Sequence, residues 1–229
     1  MKKNNLFVLS LGGSLIIPAE IDTLFLKNFK RLILGQIKKG HKFIVITGGG
    51  MVCRKYQTAL KQLTNPSNLD LDNLGIQATR FNAYLVKQMF GNFAHPKLAE
   101  DPSKKSAFKE KVLVGAGWAP GWSSDFDAVM LAKTYGAKTV INLSNIDYLF
   151  DKDPKKFPNA KKITQIHWQG LFKIIGRKWI PGANLPFDPI AGQLAEKNKI
   201  KVIIANGKNL SNLKNILENK KFIGTEIFT

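Results

Sequence analysis

Twice near its start the chain runs a short apolar segment into consecutive glycines and then into an amphipathic stretch. Leu6–Leu11 (LFVLSL) ends in Gly12-Gly13-Ser14, and Lys42–Thr47 (KFIVIT) ends in Gly48-Gly49-Gly50. Neither run alternates apolar with polar residues, so each reads as a strand buried on both faces. Between them, Asp22 caps a helix whose Leu24, Phe25, Phe29, Leu32, Ile33 and Ile37 fall at helical spacing, and Gly40 closes it after Lys38 and Lys39. A second helix is expected over Met51–Gln62. Strand, glycines and helix in repetition call for a parallel sheet with helices on both faces, and exclude an all-β sandwich or a helical bundle.

The rest of the chain extends this pattern. Asn65–Leu69 reads as a polar loop, and Asp72 to about Phe90 as a long helix with Leu74, Ile76, Phe81, Leu85 and Met89 on one side. Val112–Gly115 is a short strand that opens into a turn-rich loop, Gly117–Ser124, before a helix near Phe126–Thr134. Lys138–Leu143 (KTVINL) and Ile200–Ala205 are further strands, and Gly224–Phe228 is expected as a closing edge strand. Asp151–Pro158 is too polar and proline-broken for a core, and Gly182–Pro189 is a loop that Asp188 caps into a helix. No repeat or linker divides the chain, so residues 1–229 are taken as one domain, with a soft division near residue 120.

Composition narrows the function. The 229 residues carry 35 Lys and Arg against 16 Asp and Glu, a net charge of +19. A balance this basic suits nucleic acid, an anionic membrane or phosphorylated small molecules. All but four of the cations are lysines (the arginines are Arg31, Arg54, Arg80 and Arg177), and no block of five or six forms. The dispersed pattern favours a solvated surface over a nucleic-acid footprint. Half of the acids, Asp70, Asp72, Asp125, Asp127, Asp147, Asp151, Asp153 and Asp188, lie in the loop-rich segments instead. Cys53 alone cannot make a disulfide scaffold, and His41, His95 and His167 give no metal-ligand spacing, so no protein-built metal site is expected. Leu6–Leu11 is too short for a membrane span or the core of a signal peptide, and a cytoplasmic protein is expected.

A strand that ends in glycines at a helix start aims backbone N–H groups and a helix N-terminus at an anion. One such loop is as easily structural. Two, with a third at Gly117–Ser124, point to phosphate. Neither is a Walker A loop, because Lys-Ser/Thr does not follow at the required spacing, and neither is the dinucleotide fingerprint.

LSLGGSL (9–15), TGGGMVCRKY (47–56), DNLGIQATRFNAYL (72–85), GWAPGWSSDFDAVMLA (117–132), NLSNIDYLFDKDPKKFPNAKKI (142–163) and PGANLPFDPIA (181–191) resemble, in this order, the amino acid kinase family and its archaeal-type UMP kinases. The resemblance implies a three-layer α/β/α sandwich with a mainly parallel central sheet. It also implies an acceptor lobe (1–120) that binds UMP and a lobe (121–229) that binds ATP with Mg²⁺. By that resemblance Gly12, Gly13 and Ser14, with Ser10 before them, cradle the transferring phosphoryl group. Gly48, Gly49 and Gly50 with Arg54 hold the UMP phosphate, and Arg54, one helical turn past the last glycine, can meet the same anion bidentately. Asp72 takes the ribose hydroxyls, and Ser123 and Ser124 stand where two threonines touch the nucleotide. Asn145, Asp147, Phe150, Asp151 and Asp153 frame the ATP. Thr79, Arg80 and Asn82 share the helix of Asp72, with a packing role as open as direct contact. A homo-oligomer, a hexamer built from dimers, follows from the same resemblance.

The chain departs from the family at two places. Ser10 stands where many members carry a lysine, which leaves Mg²⁺ and backbone N–H groups as the candidates to stabilise the transferring phosphoryl. Tyr148 replaces a glycine and either stacks on adenine or blocks it. Asp125 and Asp127 are ligands or helix caps, and Trp118 and Trp122 stack on a base or anchor their loop. Cys53 reads as a small buried residue, His167 as structural, and Lys155, Lys156, Lys161 and Lys162 as a solvated face. The reading is thus ATP:UMP phosphotransfer in pyrimidine nucleotide synthesis, with no general base needed because the acceptor oxygen is already ionised. The alternatives are a non-catalytic nucleotide or oxyanion binder on the same fold, a sister kinase with another phosphorylated acceptor, and nucleic-acid binding resting on the charge alone.

Overall fold

The computed structural model describes residues 5–154, 156–178 and 185–229. Its first half runs β1 (Leu6–Leu11), α1 (Gly13–Ile16), α2 (Thr23–Lys38), β2 (Lys42–Thr47), α3 (Gly50–Leu63), α4 (Asn68–Phe90) and β3 (Val112–Gly115). The second half runs α5 (Ser124–Tyr135), β4 (Thr139–Ser144), β5 (Leu149–Phe150), β6 (Lys162–Ile163), β7 (Gln165–His167), α6 (Trp168–Ile175), α7 (Pro189–Lys197), β8 (Lys201–Asn206), α8 (Leu210–Leu217) and β9 (Thr225–Phe228).

Seven strands form one sheet in the order β3-β2-β1-β4-β8-β9-β7, and β5 pairs with β6 in a small separate hairpin. The first five strands of that order are parallel; β9 is antiparallel to β8, and β7 is parallel to β9. Helices cover both faces, as the unbroken apolar runs require. Leu9, Leu11, Phe43 and Val45 pack with α2, α4 and α8 through Phe29, Ile33, Val86, Phe90, Leu213 and Ile216. Val8, Ile44 and Ile46 point the other way, into a core shared with Phe126, Val129, Leu131, Trp168, Phe187 and Ala191. This is the expected sandwich with a mainly parallel sheet.

Capping chemistry sets several boundaries. Asp22 accepts from Phe25 N at 2.8 Å and Asp188 accepts from Ile190 N at 2.7 Å, both as expected. The helix expected from Asp72 starts earlier, at Asn68. Ser67 and Asp70 form a reciprocal capping box, and this turns the second half of the expected polar loop into the first helical turn. Gly224–Phe228 supplies β9, but β9 is not an edge. It bonds to β8 on one side and β7 on the other, and the short Gln165–His167 strand closes the sheet. Helices α6 and α8 had no counterpart in the sequence reading. Residues 181–184 of the segment matched at 181–191, and Lys155, lie outside the described residues. Among the described residues, no helix is long and apolar enough to cross a membrane.

Candidate active site

The carboxyl ends of β1, β2 and β4 lie side by side, and the glycine loops meet there backbone to backbone. A Cβ on Gly13 would sit 2.0 Å from Gly50 N and 2.7 Å from the Gly48 carbonyl carbon. A Cβ on Gly48 would sit 2.6 Å from Gly13 N, and one on Gly50 would sit 2.4 Å from Gly13 O, where φ is also +63°. No side chain fits between these chains, so glycine is demanded by contact at Gly13 and Gly48 and by both contact and conformation at Gly50.

The two outer glycines act differently from the inner ones. Gly12 N donates to Leu143 O at 3.1 Å and Gly48 N donates to Leu11 O at 3.0 Å, so both amides are spent in fastening the loops to neighbouring strand ends. Gly13 and Ser14 at the start of α1, and Gly49 and Gly50 at the start of α3, belong to first turns, whose N–H groups have no intrahelical acceptor. N–H groups at a helix start are chemically able to receive an anion.

Helix α4 holds the cradle in place. Asn82, 1% exposed, donates to Gly48 O at 2.8 Å and Gly49 O at 3.2 Å. Thr47 Oγ1 donates to Thr79 O at 2.9 Å, while Thr79 Oγ1 accepts from Gly117 N at 2.8 Å. Thr79 and Asn82 thus brace two of the glycine loops. Arg80 pairs with Glu100 at 3.3 Å.

On α3, Arg54 is exposed and has no ion pair among the described residues. Cys53 lies between Arg54 and the cradle. Burial raises its thiol pKa, the Arg54 charge opposes that, and the Asp72 carboxylate adds to it, so all three groups surround one spot. A Cβ on Gly49 would meet Cys53 Cβ at 2.6 Å, and one on Gly75 would meet its Sγ at 3.4 Å, so Cys53 packs between α3 and α4 as a small residue. Asp72 Oδ2 accepts from Gly121 N at 2.9 Å and reaches from α4 to the third glycine loop.

That loop is a built turn. Trp122 N donates to Ala119 O at 3.3 Å across Pro120 and Gly121, and Gly121 has φ +83°, the arrangement of a type II turn. Trp118 and Trp122 stack with centroids 6.0 Å apart, and Trp122 stacks on Phe126 at 4.0 Å. The tryptophans therefore anchor the loop on α5, although Trp122 keeps 42% of its surface exposed.

A cluster of carboxylates sits at the start of α5. The cap of α5 is Ser123, whose Oγ accepts from Phe126 N at 3.1 Å and donates to Asp188. Asp125 and Asp127 are therefore not the caps that the sequence allowed. Asp125 Oδ1 accepts from Asn142 Nδ2 at 2.7 Å, and its Oδ2 from Asp188 N at 3.3 Å. Asp127 is fully buried, accepts from Trp118 N at 3.2 Å through Oδ2, and leaves Oδ1 without a partner. Burial pushes the Asp125 carboxyl up to about 7, with the Asp188 charge adding to it, and pushes Asp127 up to about 7 with a smaller addition from Asp125. Ser10 is 5% exposed and pairs in register with Asn142, which is 7% exposed. By strand alternation both lie on the α5 side of the sheet, with Val8 and Val140. Asn142 was missed in the sequence, and its signal was an amide in the middle of an otherwise apolar strand, a group that needs a buried partner.

The expected ATP-framing residues follow β4. Asn145 and Asp147 are exposed, and Phe150 is half-buried in β5. Asp151 is committed locally, where Oδ1 accepts from Lys161 N at 2.8 Å and closes the β5–β6 hairpin. Asp153 is exposed at the tip of the same connection. Lys162 lies 5.2 Å over the Tyr148 ring. His167 packs on Phe228 with centroids 4.3 Å apart, in keeping with a structural role. Among the described residues, no group of three or more His, Cys, Asp or Glu side chains could hold a metal.

Known proteins resemble this chain in sequence and in fold. The model of the amino acid kinase family matches residues 5–206. The uridylate kinase of Methanocorpusculum labreanum is 31% identical over 221 residues, 95% of this chain and 93% of that protein. That of Thermoplasma volcanium is 33% identical over 227 residues, 98% of each chain. The crystal structure of uridylate kinase from Archaeoglobus fulgidus superposes with a TM-score of 0.83 at 30% identity, covering 96% of this chain and 99% of that one. UMP kinase from Bacillus anthracis, at 15% identity and a TM-score of 0.81, shares the fold. The chain belongs to the amino acid kinase family, alongside the uridylate kinases.

Proposed function

We propose that this protein is a UMP kinase, transferring the γ-phosphoryl group of ATP to UMP with Mg²⁺ and releasing UDP and ADP. The observation that carries the reading is the backbone contact of the Gly12–Gly13 and Gly48–Gly50 loops, with Arg54 one turn along α3. Two anion-binding turns pressed together at the strand ends suit two phosphates that must meet. Full-length likeness to archaeal uridylate kinases supports UMP as the acceptor.

In this reading residues 1–120 bind UMP and 121–229 bind ATP. Gly49, Gly50 and Arg54 hold the acceptor phosphate, Asp72 uses its free Oδ1 for the ribose hydroxyls, and Gly13 and Ser14 meet the transferring phosphoryl. Asn145, Asp147 and Phe150 frame the adenine nucleotide. Ser124 lies at the base of the nucleotide site, while Ser123 acts through its cap and Asp188. Holding the oxygens in line and neutralising charge supplies the rate, and the acceptor phosphate needs no base. Mg²⁺ supplies charge neutralisation on the phosphates when bound; Ser10 supplies no charge, so backbone N–H groups share that role.

The same reading places the protein in the cytoplasm, in pyrimidine nucleotide synthesis, as a homo-oligomer. Support for self-association comes from α3 and α4, where Tyr56, Leu63, Phe81 and Tyr84 are 61%, 83%, 74% and 52% exposed. An apolar face of that kind is unusual on a monomer. Coupled-assay turnover with UMP, CMP and AMP, each with and without Mg²⁺, tests the assignment. Mg²⁺-dependent turnover favouring UMP is expected; turnover of CMP or AMP but not UMP overturns the acceptor.

A further inference from the structure

Asp127 is a buried acid that neither the fold nor the proposed phosphotransfer uses. It lies in the opening turns of α5 among Phe126, Ala128, Val129 and Leu131, all of them in the apolar core on that side of the sheet. Its carboxyl is 0% exposed and makes one hydrogen bond, Oδ2 accepting from Trp118 N at 3.2 Å, while Oδ1 has no partner. An ionised carboxylate in such surroundings is costly, and a neutral carboxyl much less so.

No cation near Asp127 offsets that cost. Of the elements packed against α5, β1, β3 and β4 turn no titratable side chain toward it, and β2 brings only Lys42, which sits over Phe108 at the far end of the strand. The start of α7 brings Asp188, which lies against Asp125, and Asp125 is the one charge that adds to the effect of burial on Asp127. A carboxyl raised to about 7 in this way changes its protonation within the neutral range.

What Asp127 holds is the third glycine loop. Three side chains fasten that loop. Thr79 accepts from Gly117 N and Asp72 from Gly121 N, both from α4, and Asp127 accepts from Trp118 N on the α5 side. Trp118 is only half-buried, and Gly121 and Trp122 are exposed, so this loop is the thin cover between the Asp127 carboxyl and water. A carboxylate formed beneath it gains hydration when the cover moves. Asp72 is tied to the same cover through Oδ2, so a displaced loop also disturbs the carboxylate assigned above to the acceptor's ribose.

We infer that Asp127 is a positioning residue for the acceptor pocket: while neutral it keeps residues 117–122 seated on α5, and when its proton leaves to solvent the loop lifts and UMP is held more weakly. The inference rests on the assignment of Asp72 and its surroundings to UMP, and the experiment separates the two.

KM and kcat for UMP are measured from pH 6 to pH 8.5 at saturating ATP and Mg²⁺, on the unaltered chain and on Asp127→Asn. Acrylamide quenching of tryptophan fluorescence is measured over the same range without nucleotide. The variant cannot ionise at this position and keeps an oxygen for Trp118 N, while titration of the UMP phosphate, Asp125 and Asp188 is common to both chains. The KM of the unaltered chain relative to that of the variant is expected to rise at least about fivefold between pH 6 and pH 8.5. The corresponding kcat ratio should change by less than about twofold, because the loop acts on acceptor binding. Quenching should increase with pH in the unaltered chain, as Trp118 and Trp122 open to solvent, and stay level in the variant. A KM ratio that is flat with pH, a change confined to kcat, or quenching that is flat in the unaltered chain or rises equally in the variant would each overturn the inference. If Asp127→Asn does not fold, quenching of the unaltered chain decides alone. Absence of UMP turnover at every pH would defeat the phosphotransfer reading without touching the loop, since quenching needs no substrate.

Discussion

The glycine cradle and the carboxylate cluster at the start of α5 stand close to the same strand ends but are built from different materials. The cradle is backbone against backbone, with contacts that leave no room for a single methyl group at Gly13, Gly48 or Gly50. The cluster is built by carboxylate side chains, with Asp125 on Asn142, Asp188 on Ser123 and Asp127 on a loop N–H. A backbone-built site is rigid and insensitive to pH. A site of buried carboxylates is held by hydrogen bonds whose strength depends on protonation, and it can tolerate exchange of one polar group for another.

Substitutions should separate the two regions. Gly13→Ala is expected to have the largest effect. Its Cβ would collide with backbone on both sides, which no rotamer change relieves. A loss of at least about 4 kcal/mol, read by urea denaturation, is expected. If the variant instead folds with near-native stability, the cradle is looser than the geometry states.

Arg54→Ala comes next and should act on binding alone. The side chain is exposed, so the melting temperature should hold, while KM for UMP rises about 100-fold, equivalent to about 2.7 kcal/mol of a charge-assisted phosphate contact. A lower kcat at unchanged KM would place Arg54 outside the acceptor pocket.

Asn82→Ala removes the two bonds that fasten the second glycine loop to α4, and leaves Gly48 O and Gly49 O without that donor. A stability loss of about 2–3 kcal/mol is expected, with kcat falling alongside it because the loop is no longer fixed. Loss of stability with full activity would mean that the loop keeps its shape unaided.

The smallest effect tests the other region. Burial pushes the carboxyls of Asp125 and Asp127 up to about 7 in the folded chain, against about 3.9 for a free aspartate. Between about pH 4 and pH 7 the unfolded chain gives up protons that the folded chain keeps, so stability falls as pH rises through that window and levels off above it. Asp127→Asn removes one of the two groups. It should roughly halve the slope and raise the melting temperature at pH 8 by a few degrees, measured by a series of thermal melts. A slope unchanged by the substitution would mean that the Asp127 carboxyl is not one of the acids that titrate in this window.

The contrast between the regions also explains what could be read from the sequence. Glycine's steric demand is local, so GGS after LFVLSL and GGG after KFIVIT announced both the parallel sheet and the cradle. Cap residues Asp22 and Asp188 were equally local. The sequence did not disclose that Gly12 and Gly48 spend their amides on Leu143 and Leu11, because that depends on which strands lie beside β1: β4, more than a hundred positions away, and β2. Asp125 meets Asn142 and Ser123 meets Asp188 only because α5 packs on β4 and on the start of α7, which no local pattern announces. Ser67–Asp70 was a local signal that went unread beneath Pro66. The inner position of β9 depended on β7, a three-residue strand too short to register as a period.

In the proposed function this arrangement catalyses phosphotransfer to UMP with the uncharged Ser10 at the end of β1. The most direct measurement is UDP formation from ATP and UMP by the unaltered chain, followed together with calorimetric binding of both nucleotides. Mg²⁺-dependent turnover of about 1 s⁻¹ or faster is expected, as for ordinary kinases. Tight binding of both nucleotides with no UDP formed would contradict the account and leave a nucleotide-binding protein on a kinase fold.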